Sequence, residues 1–353
     1  MTLSTPMALW IGTYPATGEA AGSGEGLWHV DVDVTSGELH APVLAAALAA
    51  PSFLALHPVA PVLLAVSETA PGSLTALRVG PGAALEQVAV FGSGGDHPCH
   101  VAASGTSVWV TNYGDGVAAA WATGPDGLPL ATHHSLHSGD GTGPVADRQE
   151  GPHAHQATVV GDHVLVTDLG ADVVRRYPVD PTPDDAGEVA ARLPAGTGPR
   201  HLVVLPDGWL VVAGELDARL HLLRPAGDGW EHAGSTPVSP LGVPGEAFPG
   251  HVTLSEDGGR LHVGLRGPDV LAVHDVTGGP DVRLVHRADV HLGAGSWPRH
   301  HEVVARLGDD ELVVVALQNS QELVTVRVGS GGGSEVLART SWPTPPACVL
   351  VAR

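Results

Sequence analysis

The stretch Gly198-Pro-Arg-His-Leu-Val-Val-Leu-Pro-Asp-Gly-Trp-Leu-Val-Val-Ala-Gly-Glu-Leu216 holds the unit from which the chain is built. It reads as a proline, a short polar entry, an apolar run, a turn and a second apolar run. The turn, Pro206-Asp-Gly, has a mechanism: proline presets φ and glycine accepts positive φ. The runs His201–Leu205 and Trp209–Ala213 are followed by Arg219–Arg224 and a weaker run near Trp230–Thr236. Four short strands between turn signals are expected here.

The pattern recurs at seven prolines: Pro51-Ser-Phe-Leu-Ala-Leu, Pro98-Cys-His-Val-Ala, Pro152-His-Ala-His-Gln-Ala, Pro199-Arg-His-Leu-Val-Val, Pro249-Gly-His-Val-Thr-Leu, Pro298-Arg-His-His-Glu-Val and Pro346-Ala-Cys-Val-Leu-Val. The steps between them are 47, 54, 47, 50, 49 and 48 residues. A fixed period of this size marks a repeat architecture, and four strands per repeat make one propeller blade. The last start leaves room for a single strand ending at Arg353. Ala8–Thr13, Gly26–Val32 and a run from about Leu39 supply its partners, so one blade mixes both chain ends and hides two sheet edges. The expected fold is all-β: one domain over residues 1–353, a seven-bladed β-propeller with four-stranded antiparallel blades. No Gly-His…Trp-Asp signature of a WD40 array appears.

Charge narrows the partners. Asp and Glu number 38 against 17 basic residues, all arginine, for a net charge of −21. Such a field repels polyanions, so neither nucleic acid nor an anionic membrane is expected as a partner. A small anion remains admissible where several arginines converge. The absence of lysine excludes Schiff-base chemistry. Cys99 and Cys348 are too few for a disulfide framework. The chain start has no basic n-region, and no run approaches 18 apolar residues. A cytoplasmic monomer is the expectation.

In a propeller blade the strands run outwards from the axis in alternating directions. The start of the first strand and the end of the second therefore share one face near the channel. The first set of positions comprises His100, His153, His155, Arg200, His201, His251, Arg299, His300 and His301; the second, Tyr14, Glu68, Asn112, Tyr113, Asp168, Glu215, Arg266 and Gln318. A ring of polar groups on otherwise apolar strands marks a site at the channel mouth. Each has a structural alternative: strand-start histidines bond neighbouring backbone, and Asn112 and Asp168 cap turns. Glu215 is the hardest to read so, because a carboxylate inside an apolar run needs a partner. His153 and His155 share a strand face, which invites a metal, but carboxylate partners are sparse and no metal or other cofactor is expected. Cys99, between His97 and His100, reads as a buried structural thiol rather than a nucleophile.

These residues resemble the bacterial 6-phosphogluconolactonases of the seven-bladed propeller type and the related carboxymuconate-lactonizing enzymes. The resemblance runs through Ile-Gly-Thr-Tyr at 11–14, Asn-Tyr-Gly at 112–114, Arg148-Gln-Glu-Gly-Pro-His-Ala-His, Thr-Asp-Leu-Gly-Ala-Asp at 167–172, Gly198-Pro-Arg-His, Gly214-Glu-Leu, Leu265-Arg-Gly and Trp297-Pro-Arg-His. The sequence departs from the pattern at Ala213-Gly, where a more polar pair is usual, and at Leu265, where Asn is common. The resemblance implies that His153 or His155, Arg200, Glu215 and Arg266 carry the chemistry. Arg148, Arg299, His201 and His100 join Arg266 as substrate-binding candidates. The implied reaction is hydrolysis of a δ-lactone with an anionic tail. Glu215 or His155 would take a proton from water, an imidazole or arginine would stabilise the oxyanion, and paired guanidinium donors would hold the tail. Two other readings stand beside it: a cycloisomerase working on a carboxylated lactone, and a non-catalytic propeller that binds a protein.

Overall fold

Each proline-led repeat folds as a four-stranded antiparallel sheet, and seven such sheets surround a central axis. The computed structural model describes residues 6–279 and 281–352. Residues 1–5, on which the reading of the chain start partly rests, Pro280, and Arg353, expected to end the last strand, lie outside the described residues. The fourth blade comprises Pro199–Val204, Leu210–Gly214, Arg219–Ala226 and Gly229–Pro237, within a residue or two of the inner runs expected. Among the described residues the helical content is one 3-10 turn, Pro81–Ala83. Among the described residues no helix is long and apolar enough to cross a membrane.

The core is divided into seven wedges, one between each pair of neighbouring sheets. The second strand of the fourth blade shows why its sequence is continuously apolar. Val211 and Ala213 pack towards the fifth blade, whereas Leu210 and Val212 pack towards the third. Alternate side chains thus bury on opposite faces, and both faces are dry. Full burial of each such Val or Leu contributes about 1.5–3 kcal/mol. The ring closes where Pro346–Val351 pairs with Met7–Thr13, in the register Leu9↔Val351 to Thr13↔Pro346. Leu27–Val32 and Leu39–Ala46 complete that blade.

One irregularity recurs. Pro98 pairs Asn112 while His100 pairs Thr111, leaving Cys99 as an extra residue. The same register shift leaves out His155 in the third blade, Arg200 in the fourth, Arg299 in the sixth and Ala347 in the seventh. A β-bulge re-aims the side chain it frees. Here five of the seven inner strands turn one residue each towards the same end of the channel.

Candidate active site

A cavity of about 430 Å³ opens at that end. Four bulge residues line it: Cys99, His155, Arg200 and Arg299. The other contributors leave the ends of second strands: Glu68, Tyr113, Glu215, Arg266 and Gln318. Phe248 and Trp297, each just before a repeat proline, supply apolar wall, and Arg148 enters from the loop ahead of the third blade.

Glu215 is the hub. Its Oε1 lies 2.6 Å from Arg148 Nη2, and its Oε2 lies 2.9 Å from Arg200 Nε and 2.8 Å from Arg266 Nη2. Burial alone would raise its pKa, but Arg266, Arg200 and Arg148 overcome that and hold it well below the usual carboxylate range. As held here it is a poor proton acceptor and a strong organiser of guanidinium groups. Burial, and then Arg266, brings Arg200 down to about 9, so it stays charged at neutral pH. Arg200 Nη1 is buried and finds no hydrogen-bond partner among the described residues. Arg266 also donates to the carbonyls of Phe248 and Pro249 and lies 5.3 Å from the Trp297 ring centre.

Carboxylates beneath the rim fix the loops. Asp269 accepts from the N–H groups of Gly295, Ser296 and Trp297, which holds Trp297 at φ 60, a conformation bulky residues rarely adopt. Asp172 accepts from Gly196 and Gly198 just ahead of Arg200, and from Gln149 Nε2 at 2.8 Å. Gln149 thereby pins the long loop that presents Arg148, which accounts for the 54-residue step in an otherwise even repeat.

On another part of the wall, Tyr14 donates to Glu68 Oε2 at 2.6 Å and accepts from Arg299 Nη2. Arg299 Nη2 also stands 3.7 Å from that carboxylate oxygen. Burial pushes the Tyr14 phenol well above its usual range despite Arg299, so it remains a donor.

The expected residues divide into two layers. His155, Arg200, Glu215, Arg266, Arg148 and Arg299 come together in the cavity. His153 does not line it: its ring stacks on Tyr113 at 4.5 Å, and its Nδ1 lies 2.6 Å from the Tyr113 carbonyl. Gly170 packs against that turn so closely that a Cβ would lie 1.7 Å from the Gly151 carbonyl oxygen. Gly170→Ala is therefore expected to cost about 1–3 kcal/mol through overpacking, measured as a lower urea midpoint. His100 and His201 also lie outside the lining, one layer deeper. With Phe53, His251 and His300 they form a closed cycle of ring contacts, at centroid distances of 4.1, 5.7, 5.1, 3.7 and 5.3 Å. This cycle is the floor. Burial first, then Arg200, brings His100 down to about 3; His201, His251 and His300 are held well below the ordinary imidazole value, mainly by burial. Burial likewise depresses His155, with Arg200 adding to it, and pushes the Cys99 thiol up to about 12.

Asn112 and Asp168 cap turns, as their structural alternative held: Asn112 Nδ2 donates to Ser93 and Val117 carbonyls, and Asp168 accepts from His153 and Ala171 N–H groups. Among the described residues no group of three His, Cys, Asp or Glu is placed to hold a metal ion. Strand-end positions put Glu68, Tyr113 and Gln318 on the right face without distinguishing them from their neighbours, and Trp297 and Phe248 carry no polar signal.

Comparison with known proteins agrees with this architecture. The Bacillus subtilis 6-phosphogluconolactonase is 25% identical over 311 residues, 82% of this chain and 83% of that protein. An Arthroderma benhamiae relative is 35% identical over 111 residues, 30% of this chain but only 28% of that protein's length. The structure of the periplasmic gluconolactonase of Pseudomonas aeruginosa superposes with a TM-score of 0.84 at 24% identity, covering 99% of each chain, a likeness that speaks to the fold. The family model described as "Lactonase, 7-bladed beta-propeller" matches residues 8–351, and the chain belongs to that family.

Proposed function

We propose that the protein hydrolyses a sugar δ-lactone bearing an anionic tail, of the kind that converts 6-phosphogluconolactone to 6-phosphogluconate, by acid–base chemistry that needs no metal. The observation that carries this is the charge of the cavity. Four guanidinium groups (Arg148, Arg200, Arg266, Arg299) face two carboxylates (Glu68, Glu215), a surplus of two positive charges in a chain of net charge −21. Such a pocket suits a dianion. Lactonase family membership supports ring opening, and the name of the Bacillus relative supports a phosphorylated substrate.

The chemistry needs a clamp, an oxyanion donor and a proton acceptor. Arg148 and Arg266, fixed by Glu215, suit the clamp, and Arg200 suits the developing oxyanion. Trp297 and Phe248 give the sugar ring an apolar wall.

Purified protein with EDTA is expected to hydrolyse 6-phosphoglucono-δ-lactone well above the spontaneous rate. Glucono-δ-lactone, lacking the phosphate, is expected to show a KM at least about tenfold higher, equivalent to roughly 1.4 kcal/mol of lost binding. A rate on the phosphorylated lactone no better than spontaneous would sink that substrate, and carboxymuconolactones would be assayed next.

A further inference from the structure

The two carboxylates of the cavity are held differently. Glu215 spends both oxygens on three arginines. Glu68 uses one: Oε2 receives the Tyr14 hydroxyl at 2.6 Å and lies 3.7 Å from Arg299, whereas Oε1 has no protein partner among the described residues. Glu68 side-chain exposure is 19%, against 6% for Glu215. A general base must be able to reach the proton it abstracts, and an arginine-bound carboxylate is both blocked and weakened. The neutral imidazole of His155 is the other cavity base, and its basicity is depressed by burial and Arg200.

We infer that Glu68, oriented by Tyr14, is the general base that activates water, and that Glu215 positions arginines and takes no proton. The inference rests on the lactonase reading of the same cavity. In the step, Glu68 Oε1 takes a proton from water as the water oxygen bonds to the lactone carbonyl carbon. The carbonyl electron pair moves onto its oxygen, beside a guanidinium. The tetrahedral intermediate collapses by breaking the bond from that carbon to the ring oxygen, which receives the proton back from Glu68. The product acid then loses its proton to solvent. Tyr14 is a positioning residue, because it acts through Glu68.

The test compares wild type, Glu68→Gln, Glu68→Ala and Tyr14→Phe on the lactone panel above, each checked by thermal melting. Glu68→Gln is expected to lower kcat by about 10²–10⁴-fold with KM within about threefold. Tyr14→Phe is expected to lower kcat by roughly tenfold at unchanged KM, since one orienting hydrogen bond is lost. Formate, a carboxylate small enough to enter the vacated space, is expected to restore Glu68→Ala by at least about tenfold, which a merely structural role for Glu68 would not allow. An active wild type with Glu68→Gln within threefold of its kcat would overturn this inference and leave the lactonase reading standing. Loss in Glu68→Gln without formate rescue of Glu68→Ala would reduce Glu68 to a positioning residue and also overturn it. A wild type inactive on every lactone would overturn both.

Discussion

Acidification from pH 7 to pH 5 is expected to unfold this protein steeply. Six histidines at or just below the cavity floor, His100, His155, His201, His251, His300 and His301, are buried and neutral, with folded-state values depressed well below the ordinary imidazole range. In the unfolded chain each regains a pKa of about 6.5. The unfolded state therefore binds more protons below that pH. The stability these groups supply is present above about 6.5 and is lost as pH falls from there towards the folded values. Each contributes a slope of about 1.4 kcal/mol per pH unit, so six give on the order of 8 kcal/mol per unit, against a typical total stability of about 5–15 kcal/mol. Urea melts at pH 7.5, 6.5 and 5.5 measure the effect. A midpoint that stays flat to pH 5.5 would mean that the floor tolerates charge. His201→Gln is expected to reduce the slope by about one proton's share.

Glu215→Gln is expected to be the most damaging single change in the cavity. Gln keeps the volume but removes the carboxylate that, among the described residues, alone pairs with Arg200 and Arg266, both buried. Breaking a buried ion pair from one side costs about 3–5 kcal/mol, because the remaining charge is left uncompensated. The cavity surplus rises from two positive charges to three. Phosphate or sulfate is therefore expected to raise the melting temperature of the variant more than that of wild type, since an anion takes the carboxylate's place. Equal protection of both proteins would show that the three arginines do not depend on Glu215 for their charge balance.

The blades were legible because proline and turn spacing repeat, and because strands buried on both faces read as unbroken apolar runs. Arg200 and Arg299 were legible for a related reason: each follows a repeat proline directly. The bulge itself was not. Side-chain alternation in the sequence shows which residues share a face, but not where the hydrogen-bond register slips by one. That slip separates His155, in the cavity, from His153, which supports Tyr113, although both stand in Pro-His-Ala-His. It also separates Arg200 from its neighbour His201, which drops to the floor. Glu68 sits in Ser67-Glu-Thr-Ala-Pro-Gly, an ordinary-looking turn; its strand-end position puts it on the right face, but only the convergence of Tyr14 from another blade shows how it is held. The floor as a packed cycle eluded the sequence for the same reason, since its five rings come from five blades and no two of them are sequence neighbours.

The closing blade has a consequence for how the molecule bears load. Leu9 faces Val351 at one end of the closing pair and Thr13 faces Pro346 at the other, so the two chain ends leave from the same end of an antiparallel ladder. Tension applied between the termini therefore peels that ladder open one hydrogen bond at a time, instead of shearing all of them together. A ring held together by seven dry wedges would yield to a weak pull at its seam.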